Sequence, residues 1–195
     1  MKQIALLLTL FIALNTYGQL TKRTWLLGGS GSLYSYHDDY VYPLQSYTAQ
    51  YTNIDIAASV GYFFVDKLAC GIRPYLSTYK GESSGGGGAN DLKLAIGPFL
   101  RYYFLNKDKQ FNLLADISYQ LGINQARNGD NPKGKFNIFS VMAGAEVFFN
   151  SSVGLEVLLG YKSQLTTFDN SPSAFSNNRK GFLTSIGFHF HLEKN

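Results

Sequence analysis

Apolar residues occupy every second position through most of the chain after residue 50. This is the period of a β-strand with one apolar face, because successive side chains of a strand point to opposite sides of the sheet. Seven stretches show the pattern clearly, at 54–64, 68–77, 92–104, 111–121, 139–149, 153–162 and 182–192. An eighth strand is predicted at 24–36, where glycines and serines leave its outward face undecided between Trp25, Leu27 and Leu33 and the alternate set.

The links between these strands alternate in length. Short links lie at 65–67, 106–109 and 150–152, and long links rich in Gly, Ser, Asn, Asp and Pro lie at 37–50, 81–90, 125–135 and 167–180. Outer-membrane barrels have an even number of strands, short periplasmic turns and longer extracellular loops. The pattern therefore predicts an all-β fold, an eight-stranded antiparallel up-and-down transmembrane β-barrel with four long extracellular loops.

The first residues have the features of an export signal. A positive start at Lys2 precedes an apolar run at 4–14, and small residues follow near Gly18. This predicts a signal peptide at 1–18, cleaved between Gly18 and Gln19, and a barrel domain at 19–195. A membrane anchor is the alternative, although it needs about 20 apolar residues. No later run reaches that length, and the single cysteine, Cys70, can form no intrachain disulfide.

Charge separates the two faces of the predicted sheet. On the seven clear strands the apolar face carries no charged residue, whereas the opposite face carries four of each sign. A soluble barrel of the lipocalin type would instead show an excess of Lys and Glu to water. A narrow lumen, in which buried charges persist only when paired, accounts for the balance. The predicted lumen charge network is Asp55, Arg73, Lys93, Arg101, Asp116, Glu146, Glu156 and Lys162, with Asp55, Lys93 and Lys162 nearer the outer mouth.

Composition supports a membrane barrel. The chain has 14 Tyr, 15 Phe and 20 Gly, and its net charge of +4 comes from scattered basic residues, which argues against nucleic-acid binding. Aromatic residues on the apolar face lie near strand ends, as in the interfacial girdle of outer-membrane barrels. The alternative is the core of a soluble sandwich. The predicted girdle residues are Tyr62, Phe64, Tyr102, Phe104, Phe111, Phe149, Phe188 and Phe190.

Four segments carry a resemblance to a known family. They are Trp-Leu-Leu-Gly-Gly-Ser at 25–30, Val-Gly-Tyr-Phe-Phe-Val-Asp-Lys-Leu-Ala at 60–69, Gly-Pro-Phe-Leu-Arg-Tyr-Tyr at 97–103 and Gly-Phe-His-Phe-His-Leu at 187–192. Together they resemble the small outer-membrane β-barrel proteins of OmpX or OmpA-transmembrane type. The resemblance implies a monomer in outer-membrane lipid, assembled by the barrel-assembly machinery through its C-terminal aromatic strand. Here Glu193-Lys194-Asn195 follow that strand, which is a departure from the family pattern.

Little in the sequence indicates chemistry. His37, His189 and His191 include no His-x-Ser motif of the barrel deacylases, and His189 with His191 gives two metal ligands without a third. A cation site at Asp38-Asp39 is the alternative to a solvated acidic loop, which is the default interpretation. The glycine run at 85–88 is interpreted as linker. We therefore predict no catalytic residue, no cofactor and no metal. A structural or surface-interaction role through the four loops is favoured, followed by a narrow conduit for small or hydrophobic solutes, and then by a lipid-modifying enzyme.

Overall fold

The chain forms one antiparallel sheet that closes on itself. The computed structural model describes residues 20–41, 46–83, 88–106, 109–126, 134–168 and 175–193. Strand β1 pairs with both β2 and β10, which completes the ring. The strands are β1 (Thr24–Val41), β2 (Ser46–Val65), β3 (Leu68–Ile72), β4 (Tyr75–Ser83), β5 (Gly88–Ile96), β6 (Pro98–Tyr103), β7 (Phe111–Ala126), β8 (Gly134–Asn150), β9 (Val153–Phe168) and β10 (Phe175–Glu193).

These ten segments make eight strands around the barrel, which confirms the predicted fold class. The stretches 68–77 and 92–104 were each predicted as one continuous strand, and that detail is wrong. The first breaks at Arg73 and Pro74, and the second breaks at Gly97. Proline cannot donate a ladder hydrogen bond. The Arg73 N–H instead donates to the Gly97 carbonyl at 2.8 Å, so the two breaks lie side by side.

The barrel has two unlike ends. Short connections at Asp66–Lys67 and Ser151–Ser152, with residues 104–106 and 109–110 between β6 and β7, define the turn end. The opposite rim is the loop end. The four long links were predicted as loops, but their described parts are largely strand, since β1 and β2 remain paired up to Val41 and Ser46. Beyond the membrane neither face of a strand needs to be apolar, so the alternation that marks strands disappears there.

Side chains alternate between an exposed apolar outer surface and a buried interior. Ile117 and Leu159 are 42% and 62% exposed, whereas Asp116 and Leu158 beside them are 2% and 3% exposed. On β1, Trp25 and Leu33 point outward and Leu26 is fully buried, which decides the face that the sequence left open. Among the described residues no helix has the length and hydropathy needed to cross a membrane.

The interior is filled most tightly at the turn end. A cluster of side chains that are 0–1% exposed closes the lumen there, and we call it the floor. It includes the segment before β1, where the Leu20 carbonyl accepts a 2.9 Å hydrogen bond from the Lys67 N–H. The floor residues are Leu20, Leu26, Phe63, Tyr103, Leu114 and Phe148. Above the floor lies a layer of charged side chains.

Candidate functional site

Asp116 is the centre of the first group of charges above the floor. It comes from an inward position of β7, opposite Arg101 on β6 in the strand register. Arg73 donates to both Asp116 carboxylate oxygens at 2.7 and 2.8 Å, and the Arg101 Nε donates to Oδ2 at 2.9 Å. Because Asp116 is 2% exposed, these bonds replace the water that its charge has lost.

Arg101 links this group to a second carboxylate. Its Nη1 lies 2.8 Å from Oε2 of Glu156, and the His189 Nδ1 lies 3.3 Å from the same oxygen. In the strand register Glu156 is paired directly with Glu146, so two carboxylates face each other across β8 and β9. Like charges in that position repel. The Arg101 guanidinium beside Glu156 offsets this repulsion within the lumen.

Glu146 has partners of its own. One of its oxygens accepts a 2.7 Å hydrogen bond from the Tyr103 hydroxyl, and the other lies 2.9 Å from the His191 Nε2. The His191 ring contacts the rings of Phe63 and Phe148, with centroid distances of 5.8 and 5.2 Å. Glu146 thus joins the charged layer to the aromatic floor.

Small residues make room for this layer. A Cβ atom built on Gly154 would lie 2.6 Å from the Glu146 Cδ, and one built on Gly28 would overlap the His189 ring. Glycine at both inward positions therefore leaves space for the large side chains next to them.

The remaining three predicted network residues lie closer to the loop end. Lys162 Nζ is 3.6 Å from an Asp55 oxygen and donates to the Tyr75 hydroxyl at 3.0 Å. Asn53 donates to the other Asp55 oxygen at 2.7 Å. Lys93 lines the same cavity without forming an ion pair among the described residues. The structure therefore divides the eight predicted residues into one group of five near the floor and one group of three near the mouth.

Sequence reasoning missed three members of the inner group. Tyr103, His189 and His191 are uncharged or weakly basic, so a tally of formal charge does not include them. Their shared inward face was visible, because 189 and 191 are two apart on one strand. Their contacts with Glu146 and Glu156 depend on the relative height of different strands, which alternation along one strand does not give.

The same residues bear on metal binding. Glu146, Glu156 and His189 bring one ligand atom each within 4.8 Å of one another. The Arg101 guanidinium lies in this group, 2.8 Å from Glu156 and 3.4 Å from the His189 Nε2. A metal ion there would have to displace this cation or lie against it. The arrangement is that of an ion-pair network.

Within the described lumen, neither histidine is placed to activate a hydroxyl for acyl transfer. Neither His189 nor His191 hydrogen-bonds a serine or threonine hydroxyl within the described residues, and both rings are 0–1% exposed. Some predicted features lie outside what the structure describes. These are the side chains of His37, Asp38 and Asp39, the predicted cleavage residues Gly18 and Gln19, and positions 84–87 of the glycine run.

The eight predicted girdle residues all lie on the outer surface and in its turn-end half. They are joined there by Trp25, whose ring meets Tyr62 edge-on with centroids 5.2 Å apart. Toward the loop end, adjacent strands carry a further row of outward aromatic residues that the sequence analysis did not single out. This row is Tyr119, Phe139, Tyr161 and Phe182.

A closed antiparallel sheet with an uncharged apolar outer band and a polar, filled interior defines the class of small transmembrane β-barrels of the bacterial outer membrane. The outer membrane protein OprG from Pseudomonas aeruginosa has a similar structure, with a TM-score of 0.58 and 13% sequence identity over 93% of this chain and 100% of that one. Neisserial surface protein A aligns with a TM-score of 0.48 and 13% identity over 87% of this chain and 97% of its own. No protein-family model and no curated protein matches the sequence. At 13% identity, what this chain shares with OprG is the fold.

Proposed function

We propose that this protein is a closed outer-membrane barrel with a structural or surface-interaction role, exercised by the hairpins at its loop end. The observation that carries the proposal is the filled turn-end half of the lumen. Phe63, Tyr103 and Phe148 are fully buried there, and Arg101 and Glu146 above them are 1% and 0% exposed. Water does not reach these side chains, so a solute has no path along the barrel axis.

The hairpins support the assignment of the role to the loop end. On β10 the outward positions are apolar or threonine from Leu192 to Phe182. The strand then continues to Phe175 and includes the polar residues Asn178, Arg179 and Lys180. At about 3.3 Å per residue, this extension stands well clear of a hydrocarbon layer. Paired strands hold these polar residues more rigidly than open loops would.

The rest of the proposal concerns export and assembly. Residues 1–18 are the export signal and residues 19–195 the barrel domain, which inserts as a monomer through recognition of its C-terminal strand. The outward Phe188, Phe190 and Leu192 on that strand support this route, because they present an apolar edge next to the closing seam.

Single-channel recording in planar lipid bilayers tests the closed lumen. A folded barrel migrates differently on SDS gels with and without boiling. Only protein that shows this shift is used for the recordings. We expect no conductance steps from it, while a large porin in the same bilayer gives them. Regular steps from the folded protein would contradict the proposal and favour a conduit.

The location of the role is tested in cells. A variant in which the β1–β2 hairpin is shortened on the loop-end side of the Leu33–Ile54 pair should still assemble. It should show the same envelope phenotype as deletion of the gene. A variant with Arg101→Met and Glu156→Leu in the lumen should not show that phenotype. The opposite result would contradict a loop-end role, and a changed lipid A mass in the deletion strain would favour an enzyme instead.

A further inference from the structure

The barrel wall is incompletely paired where its first and last strands meet. Strands β1 and β10 share only eight residue pairs, from Thr24 with Glu193 to Gly31 with Ile186. Both strands continue beyond this point toward the loop end. Within the described residues, the continuation of β1 from Ser32 pairs with β2 alone, and that of β10 before Ile186 pairs with β9 alone. The two outer hairpins therefore separate and leave a lateral opening.

The opening begins at membrane depth. Outward side chains on β10 are apolar from Leu192 to Phe182, apart from Thr184, and the pairing with β1 ends at Ile186 inside this stretch. Unpaired strand edges are tolerated in the hydrocarbon region only where they line a cavity or meet another polar group. The backbone N–H and C=O groups on the free edges of β1 and β10 therefore need hydrogen-bond partners in the space that they face.

A cavity of about 470 Å³ lies behind the opening. Ser32 and Leu33 line it from β1, and Gly181 and Phe182 line it from β10. A Cβ atom built on Gly181 would meet nothing within 4 Å, which shows how open the wall is at that point. The volume falls in the range of roughly 300–1,000 Å³ that small-molecule sites occupy.

The charge of this cavity is strongly unbalanced. Lys93, Lys162, Arg179 and Lys180 line it, against the single carboxylate of Asp55. Asp55 already has Lys162 at 3.6 Å and Asn53 at 2.7 Å. Lys93 and Arg179 make no ion pair or side-chain hydrogen bond among the described residues. Cations gathered in a partly enclosed space attract an anion.

The rim of the opening is apolar. Leu33 is 70% exposed and Phe182 is 91% exposed, one on each side of the separated strands. The site thus combines cations inside the lumen with hydrocarbon surface at an exit that leads sideways into the bilayer. A ligand that satisfies both parts has an anionic head and one hydrocarbon chain.

We propose that the β1–β10 opening binds a single-chain anionic amphiphile, with a long-chain fatty-acid carboxylate as its chemical type. The carboxylate lies among Lys93, Lys162 and Arg179, and the chain passes between Leu33 and Phe182 into the outer half of the membrane. This site is additional to the proposed function, because it needs no path through the floor.

Photo-crosslinking tests the site in the intact barrel. The folded protein in phosphatidylcholine nanodiscs is exposed to dodecanoate that carries a diazirine at its chain end, and labelled peptides are located by mass spectrometry. We expect labels in 24–41 and 175–193, and competition by dodecanoate but not by dodecanol. Removal of the unpaired cations by Lys93→Gln with Arg179→Gln should lower labelling roughly tenfold, as expected when hydrogen bonds to an ionised group are lost.

Two controls separate a local effect from a folding defect. Lys80→Gln with Lys109→Gln removes the same charge from exposed positions outside the cavity and should leave labelling unchanged. Closing the seam by one further pair, with Ser32→Cys and Ser185→Cys in a Cys70→Ser background, should abolish labelling until the disulfide is reduced. Equal labelling by the carboxylate and an alcohol probe would overturn the proposal. So would unchanged labelling in the Lys93→Gln with Arg179→Gln variant or in the disulfide-closed variant. Conductance, which tests the closed lumen, is measured independently.

Discussion

Arg73 and Asp116 form a two-pronged ion pair inside the lumen, with Nη1 to Oδ1 and Nη2 to Oδ2 distances of 2.7 and 2.8 Å. Arg73 stands at the break between β3 and β4, and Asp116 lies within the unbroken strand β7. The pair therefore passes over the intervening strand β6 and joins the interrupted wall to a continuous one. Arg73 also lies over the Phe99 ring at 4.5 Å, which fixes its guanidinium plane.

The first prediction concerns removal of this carboxylate. Asp116→Asn leaves Arg73 and Arg101 buried without their shared counter-charge, and we expect a loss of about 3–5 kcal/mol in the free energy of unfolding. Urea unfolding in lipid vesicles measures it. With Arg73→Met as the second change, the double variant should lose less than the sum of the single losses, by roughly 0.5–3 kcal/mol. Additive losses would show that the two side chains act independently.

The second prediction separates direct from indirect partners of Arg101. Arg101 contacts Glu156 at 2.8 Å, whereas Glu146 is held by the Tyr103 hydroxyl and the His191 ring. The Arg101→Ala and Glu156→Ala changes should therefore couple more strongly than Arg101→Ala and Glu146→Ala in double-mutant cycles. Equal coupling energies in the two cycles would mean that the charged layer behaves as one diffuse unit.

The third prediction uses the close approach of Gly97, at the break between β5 and β6, to strand β7. A Cβ atom on Gly97 would lie 2.6 Å from the Gln120 Cα and overlap the Tyr119 carbonyl oxygen. Gly97→Ala must push two strands apart, so we expect a destabilisation of about 1–3 kcal/mol. Gly181→Ala is the matched control, because open space surrounds that position. Unfolding midpoints in the same vesicles compare the two, and similar losses would contradict the packing argument.

The fourth prediction concerns the outer surface. Ile117 lies midway along the apolar face of β7, and Gln125 lies near the loop end of the same strand. An arginine costs about 2–4 kcal/mol at the bilayer midplane and about 0–1 kcal/mol near an interface. Ile117→Arg should therefore destabilise the folded barrel in vesicles far more than Gln125→Arg. Equal costs at the two positions would place the membrane elsewhere on the barrel.

The fifth prediction concerns Cys70, which points outward from β3 between Tyr62 and Leu100 on the neighbouring strands. In vesicles a charged maleimide should leave it unmodified, whereas a membrane-permeant maleimide should label it. A cysteine placed at Ser151, in the turn between β8 and β9, should react with both reagents when that side is accessible. Rapid reaction of Cys70 with the charged reagent would mean that this face is in water.

Sequence and structure agree most closely where one face of a strand meets lipid. Alternation assigned the outward side of Ile54, Leu100 and Val157 correctly, because the bilayer requires every outward position to be apolar there. It failed beyond the loop end of that zone. The sequence 37–50 has no continuous alternation of apolar and polar residues, so its pattern did not distinguish strand from loop.

Contacts inside the lumen were less accessible to prediction. The inward orientation of Arg101, Glu146 and His191 follows from the alternation of side chains along each strand. Which residues they contact depends on the stagger of the strands around the ring. That stagger depends on the breaks at Pro74 and Gly97 and on close approaches at glycine. Such features arise from the whole closed sheet, and no single stretch of sequence contains them.

The short β1–β10 seam also bears on how the barrel forms. Its residue pairs join positions as far apart as Thr24 and Glu193, whereas every other neighbouring pair of strands is close in the chain. Long-range contacts form late, because the entropy of closing a large loop must be lost before they contribute. The eight pairs of this seam should therefore form last, and among the paired strand segments their amide hydrogens should exchange with solvent first.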